Sequence, residues 1–191
     1  MRYFSTVATG DLDAPPTPAL RKLQRLAHLL RAVSAGYTVW VLWRILTWWL
    51  DADKVLRGYS SFLGKDLSGM ADWQRLAALT VDSVAWVLLA LAVAHCWKFL
   101  NFLTQSTRWN DASLHITRSA WFAIACETIT ELTRPVQSLL MTIHLASNEQ
   151  VWKWNFRTVD MLAILFCVAL LMFAYVFAWT VEIAEENRSF V

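Results

Sequence analysis

Four long apolar runs separated by short polar stretches dominate the chain, at residues 32–50, 76–97, 119–145 and 158–181. A helix needs about 20 residues to cross a hydrocarbon layer about 30 Å thick, so each run is long enough to span a bilayer. The last is the purest, with no charged side chain from Met161 to Val181. Ionisable residues interrupt the other three, and such residues are costly in lipid and mark chemistry. Transmembrane strands would alternate apolar and polar residues with period two, which these runs do not. The expected fold is all-α: an antiparallel, up-down four-helix bundle integral to a membrane, formed by residues 18–191 after a flexible tail at 1–17.

The flanks refine this picture. The tail has no apolar core of the kind a cleavable signal peptide needs. Thr17 and Pro18 read as N-cap and first helical residue, because proline has no amide to leave unpaired there. Leu20, Leu23, Leu26 and Leu30 then recur at helical spacing opposite Arg21, Lys22, Arg25 and Arg31, which fits an interfacial segment over anionic lipid or the solvated first turns of the next helix. Residues 51–75 mix Tyr59, Phe62 and Leu67 with charges and glycines, as expected of a short amphipathic cap on the outer face. Residues 98–118 extend the second helix and then turn at Trp109-Asn110-Asp111, where Asn110 or Asp111 is able to cap the third helix.

Composition agrees with membrane residence. The 191 residues are 57% hydrophobic and 17% charged, against about 25% charged in an average soluble domain. A net charge of +2 gives no polyelectrolyte argument for direct nucleic-acid binding. Nine Lys and Arg flank the face holding both termini and six flank the other, so the positive-inside rule puts both termini in the cytoplasm. Trp48, Trp49, Trp73, Trp97, Trp121, Trp152, Trp154 and Trp179 fall near span ends and read as interfacial belts. Cys96, Cys126 and Cys167 lie in apolar runs with no metal-ligand spacing, and read as small hydrophobes.

The informative residues are the charges inside the runs. A rise of 1.5 Å per residue puts Arg44 roughly 10 Å and Asp82 roughly 9 Å below the outer ends of their spans, so an Arg44–Asp82 ion pair is expected. Glu127, Glu131 and Arg134 share one stripe of the third span with Thr130 and Ser138. Glu131 is expected to pair with Arg134, which leaves Glu127 as the spare carboxylate, open to a proton, cation or amine. Pro135 is expected to kink this helix and free a carbonyl near Glu131, favouring a cavity there. Structural glue, a ligand or ion site, and docking to another membrane subunit all fit the cluster of Arg44, Asp82, Glu127, Glu131 and Arg134. His95 and His144 stand near opposite span ends, and His28 and His115 fall outside the hydrocarbon. No catalytic, cofactor or metal motif is legible, so no catalytic residue, cofactor or metal is assigned.

After Val181 the last helix is expected to continue into the cytoplasm, with Glu182, Glu185 and Glu186 forming an acidic stripe near Lys98 or Arg118 and ending at Phe190 and Val191. A solvated helix end and a docking surface for a cytosolic protein both fit that tail. The passage from Trp97 to Trp109-Asn110-Asp111, the early Arg118 and the terminal glutamate-glutamate-asparagine stretch resemble the bacterial family called domain of unknown function 2975. The resemblance covers roughly residues 76–191, with Thr107-Arg108-Trp109 standing where the family has a glycine and a phenylalanine. It implies a small four-helix protein of the bacterial inner membrane and, by analogy with relatives encoded beside a helix-turn-helix regulator, a membrane partner restraining a transcription factor. The expected function is therefore non-enzymatic: a sensor or regulatory partner of a cytosolic or membrane protein. The alternative is an accessory subunit, or a small transport or immunity protein, that uses the charged cluster as a ligand or ion site.

Overall fold

The computed structural model describes residues 18–103 and 109–189, and the tail at 1–17, residues 104–108, Phe190 and Val191 lie outside them. Among the described residues the chain is wholly helical: α1 (Pro18–Trp49), α2 (Ala52–Leu63), α3 (Asp72–Leu103), α4 (Trp109–Thr142) and α5 (Thr158–Ser189). Helix α1 opens at the proline predicted to open it and runs 32 residues, about 48 Å, without a break. The basic amphipathic segment is thus the first turns of the same helix, and Leu26, Leu29 and Leu30 remain exposed along it. The turn expected at Trp109-Asn110-Asp111 is not there: α4 has already begun at Trp109, and Asp111 sits in its first turn, where an acidic residue favours the helix dipole.

The predicted cap is α2. Asp51 N-caps it by accepting the amide of Lys54, and Gly64 ends it at φ 66°, donating its N–H to the Ser60 carbonyl at 2.9 Å. That left-handed backbone suits glycine, because a Cβ there meets the following carbonyl. Helices α3 and α5 start alike: Gln74 Oε1 accepts the Ala71 amide at 2.8 Å, and Asp160 Oδ2 accepts the Arg157 amide at 2.9 Å. In each the third helical residue reaches back to the amide just before the helix, which is half of a capping box.

Two core clusters sit at opposite ends. One joins Ala27 of α1, Phe99 and Leu100 of α3, Ala112, Ile116 and Ala120 of α4, and Ala174 of α5. The other joins Trp49, Val55, Leu67, Ala78 and Met141. Early α1 therefore lies beside late α3, early α4 and late α5, so successive long helices reverse direction. Helix α1 packs on α3, α3 on α4 and α4 on α5, while α2 lies against α1 and α4. Indole donors stitch α1 to α3: Trp86 Nε1 bonds the Thr38 carbonyl at 3.1 Å and Trp97 Nε1 bonds Ser34 Oγ at 2.8 Å.

Three helices are long and apolar enough to cross a membrane: Arg21–Trp49, Asp72–Leu103 and Thr158–Asn187. Helix α4, which holds the predicted third span, is not among them. It is instead the innermost helix, with Ser119, Glu131, Thr133, Gln137, Ser138 and Thr142 all buried. The apolar side chains point the other way, with Trp43 66%, Phe166 75% and Trp179 64% exposed. An apolar surface of this extent suits lipid rather than water.

Gly64→Ala is expected to lower stability by about 1 kcal/mol through the left-handed backbone it forces on alanine, with Gly64→Asn less harmful. Thermal midpoints of the full chain in one detergent would check the order.

Candidate functional site

Asp160, at the start of α5, anchors the polar interior. It is 5% exposed, and its carboxylate takes a two-pronged bond from Arg134 of α4, with Nη2 to Oδ1 at 2.9 Å and Nη1 to Oδ2. Arg157 adds its amide and its own guanidinium, the latter at 3.2–3.3 Å. Arg134 also donates to Glu131 at 3.0 Å, as its spacing predicted, and to the Asn155 carbonyl at 2.7 Å. Asp160 was invisible to sequence reasoning as a site residue, because it lies at the edge of the purest apolar run. The signal available was its spacing of three from Arg157, the capping pattern it fulfils.

The loop from α4 to α5 delivers Asn155, Arg157 and Asp160 by folding back along α4. Its amides at Val151 and Lys153 bond the buried hydroxyls of Thr142 and Ser138 at 3.0 and 2.9 Å. Lys153 Nζ reaches the Phe62 carbonyl at 2.8 Å and lies 4.2 Å from the Phe62 ring, tying the loop to α2. Pro135 sits inside α4, which continues through it to Thr142.

The Arg44–Asp82 ion pair is absent. Asp82 accepts from Trp49 Nε1 at one oxygen and from Gln137 Nε2 at the other, and Gln137 Oε1 accepts from the Tyr59 hydroxyl at 3.0 Å. Trp49, Tyr59, Asp82 and Gln137 thus join α1, α2, α3 and α4. Arg44 and Asp82 do line one pocket, but neutral donors have taken both carboxylate oxygens. Arg44 lies instead over the Trp40 ring, 5.2 Å from its centre. Trp49 is correspondingly no belt residue: it is 2% exposed, whereas Trp73, Trp121, Trp152, Trp154 and Trp179 are all exposed. Trp97 also turns inward, to Ser34. Burial, with the Asp82 charge nearby, pushes the Tyr59 phenol well above its usual range, so it remains a donor to Gln137.

A cavity of about 420 Å³ opens between α1 and α5 over a floor of α3 and α4. Its polar lining comes from Asp82, Glu127, Thr130, Arg134, Arg157 and Asp160, and its apolar walls include Val41, Ile45 and Trp86. Glu127, half-buried, is the one carboxylate of this lining with neither a hydrogen bond nor an ion pair among the described residues. Arg134 and Arg157 also line a second pocket of about 370 Å³, with Tyr59, Phe62, Gln137 and Asn155, at the end capped by α2. The Asp160 ion cluster therefore stands as a partition between the pocket at the α2 end and the cavity holding Glu127. Of the three carboxylates in that lining, Asp160 is ion-paired, Asp82 is held by two neutral donors, and Glu127 is left to meet a positive charge.

At the other end, Glu185 accepts from Asn110 Nδ2 at 2.6 Å, which ties the tail to the start of α4. Glu182 and Glu186 are exposed, and Phe190 and Val191 lie outside the described residues. His95 and His115, read separately in the sequence, meet with their Nδ1 atoms 3.0 Å apart, while His144 Nδ1 lies 3.2 Å from Gln74 Nε2. No group of three or more metal-ligating side chains occurs among the described residues. The three cysteines are free, with Cys126 buried. No family model, curated protein or solved structure matches the chain, so the resemblance to domain of unknown function 2975 gains no support there.

Asp160→Asn should destabilise the protein by about 3 kcal/mol or more, since it strands the Arg134 charge, whereas Glu127→Gln should change stability by no more than about 0.5 kcal/mol. Arg44→Leu and Asp82→Leu should combine with a coupling below about 0.5 kcal/mol, as expected of residues without a shared bond. Thermal denaturation of the four single variants and the double variant in detergent tests both statements.

Proposed function

We propose that this chain is a four-span, non-enzymatic protein of the bacterial cytoplasmic membrane, with both termini inside, that binds a small organic cation at Glu127. The observation that carries the reading is the spare carboxylate in a cavity whose other acids already have their oxygens filled by hydrogen-bond donors. A monovalent amine would match that site in charge, donate to the Glu127 oxygens, and rest its carbon atoms against Val41, Ile45 and Trp86. Helix α4 serves as the fourth span because its polar groups are turned inward, where they avoid lipid, while α1, α3 and α5 supply the apolar exterior. Nine basic residues against six support the orientation. Occupancy would then be sensed, or the cation passed on, by a bundle whose outer partition is an ion cluster.

A regulatory contact with a cytosolic protein is the second reading. It is favoured by the exposed Glu182 and Glu186, on a helix that continues past the apolar run to Ser189. Charge reversal at both positions would abolish capture of such a partner while leaving cation binding at Glu127 intact.

With ethylammonium at tenfold its dissociation constant, the wild type should gain about 1.4 kcal/mol, a rise of roughly 3–5 °C in thermal midpoint. Glu127→Gln should show no rise, and an equal rise in that variant overturns the cation site. In a background without the native cysteines, a membrane-impermeant thiol reagent should label Ser147→Cys in whole cells and leave Ser113→Cys unlabelled. Labelling of both from one side overturns the four-span topology.

A further inference from the structure

Arg44 is the guanidinium that the polar interior does not use. It projects from α1 among Trp40, Trp43 and Trp48, exposed, and about 8 Å of helix short of the buried Trp49. No carboxylate among the described residues pairs with it, and its guanidinium lies over the Trp40 ring. A bare cation at this depth in a bilayer is unfavourable by on the order of 3 kcal/mol unless it reaches something negative. Long basic side chains relieve this by snorkelling towards the headgroup layer.

The surroundings show what it would reach. Arg44, Thr47, Trp48 and Lys54 enclose a small pocket of about 150 Å³ at the join between α1 and α2. Lys54 is held by the N-cap residue Asp51, 2.9 Å away, so the three charges sum to one positive. The Trp48 indole N–H has no acceptor among the described residues, whereas the Thr47 hydroxyl is already spent on the Trp43 carbonyl at 2.8 Å. The donors on offer are therefore a guanidinium, an ammonium and an indole, a set suited to phosphate oxygens. Arg44 and Trp48 also line the adjoining pocket of about 460 Å³, whose walls include Trp40, Val41 and Ile45. A polar cradle of net charge +1 opening onto an apolar groove along the helix matches one phosphodiester and one acyl chain.

We propose that Arg44, Lys54 and Trp48 form a binding site for an anionic phospholipid of the outer leaflet, with its phosphate in the small pocket and an acyl chain along α1. The site rests on the membrane reading of the fold but is independent of Glu127 and its cation. Charge complementarity fits Arg44 to the lipid face although Asp82 lies within the same pocket: a headgroup phosphate meets it at the hydrated interface without drawing Asp82 from Trp49 and Gln137. No carboxylate among the described residues pairs with its head, which leaves the lipid phosphate as the group of matching sign.

The test is native mass spectrometry of the full chain in detergent, titrated with phosphatidylglycerol, with phosphatidylcholine of the same acyl chains, or with inorganic phosphate. One phosphatidylglycerol per chain should bind at least about tenfold more tightly than phosphatidylcholine. Arg44→Gln should weaken it by about tenfold and Arg44→Lys by less, while Arg57→Gln, on the same α2 but outside the pocket, should leave it unchanged. Millimolar inorganic phosphate should not displace the lipid. Equal binding by the Arg44→Gln, Lys54→Gln double variant, or equal affinity for phosphatidylcholine, overturns the proposal. Binding of inorganic phosphate alone with the same dependence on Arg44 overturns the lipid in favour of a free phosphate. Where Arg44→Gln fails to fold, as its thermal midpoint would reveal, Lys54→Gln carries the same test. Glu127→Gln should leave the lipid bound, so this site and the cation site fail separately.

Discussion

The bond between Asp160 and Arg134 sets the terms for the rest of the molecule. A guanidinium inside a bundle needs its opposite charge close by, because lipid and packed side chains give little screening. Arg134 is anchored on α4, so the chain must bring a carboxylate to it, and the loop of residues 143–157 has the geometry of that errand. Its amides are spent on the Ser138 and Thr142 hydroxyls, Lys153 ties it to α2, and Asn155 adds a carbonyl before Asp160 arrives. The first turn of α5 is then fixed by the same carboxylate, through the Arg157 amide. One side chain thus serves as counter-ion, helix cap and wall of a cavity.

Around this centre the helices divide the labour between water-like and lipid-like surroundings. The least apolar long helix, α4, is placed innermost, where each buried hydroxyl or amide meets a partner. Ser119 bonds the Ala92 carbonyl at 2.8 Å, and Thr142 bonds the Ser138 carbonyl at 2.9 Å. The most apolar, α5, shows Phe166 and Met172 outward and tucks Ala174 inward. Small residues at the helix contacts allow close approach, and large ones fill the lipid side.

What the sequence made legible was local. Thr17-Pro18 marked the start of α1, the amphipathic run marked α2, and a spacing of three paired Glu131 with Arg134, because all of these depend on neighbours within a turn or two. Longer-range partners were not legible. Asp82 offered two oxygens, and formal charge nominated Arg44, but Trp49 and Gln137 filled both. Neutral donors satisfy a carboxylate with less desolvation than a second ion requires, and the sequence alone does not show which residues will be near enough to give them. Tryptophan misled for a related reason. Position near a span end suits both an interfacial ring and a core ring that needs a bond for its N–H, and only the packing of α1 on α3 sends Trp49 and Trp97 to the second role. The tail was read by charge in the same way, towards Lys98 and Arg118, and the neutral amide of Asn110, which Glu185 bonds, was not foreseen.

The four-helix network has a consequence for how the chain is made. Trp49 leaves the ribosome before Asp82, which it serves, while Gln137 follows Asp82 by 55 residues and Asp160 follows Arg134 by 26. At about 5–20 residues per second, the nascent chain therefore carries a half-satisfied Asp82, and an Arg134 with only Glu131 beside it, for seconds before their later partners are translated. Until then those groups depend on water or on whatever else surrounds the unfinished chain, so the polar network closes late in synthesis.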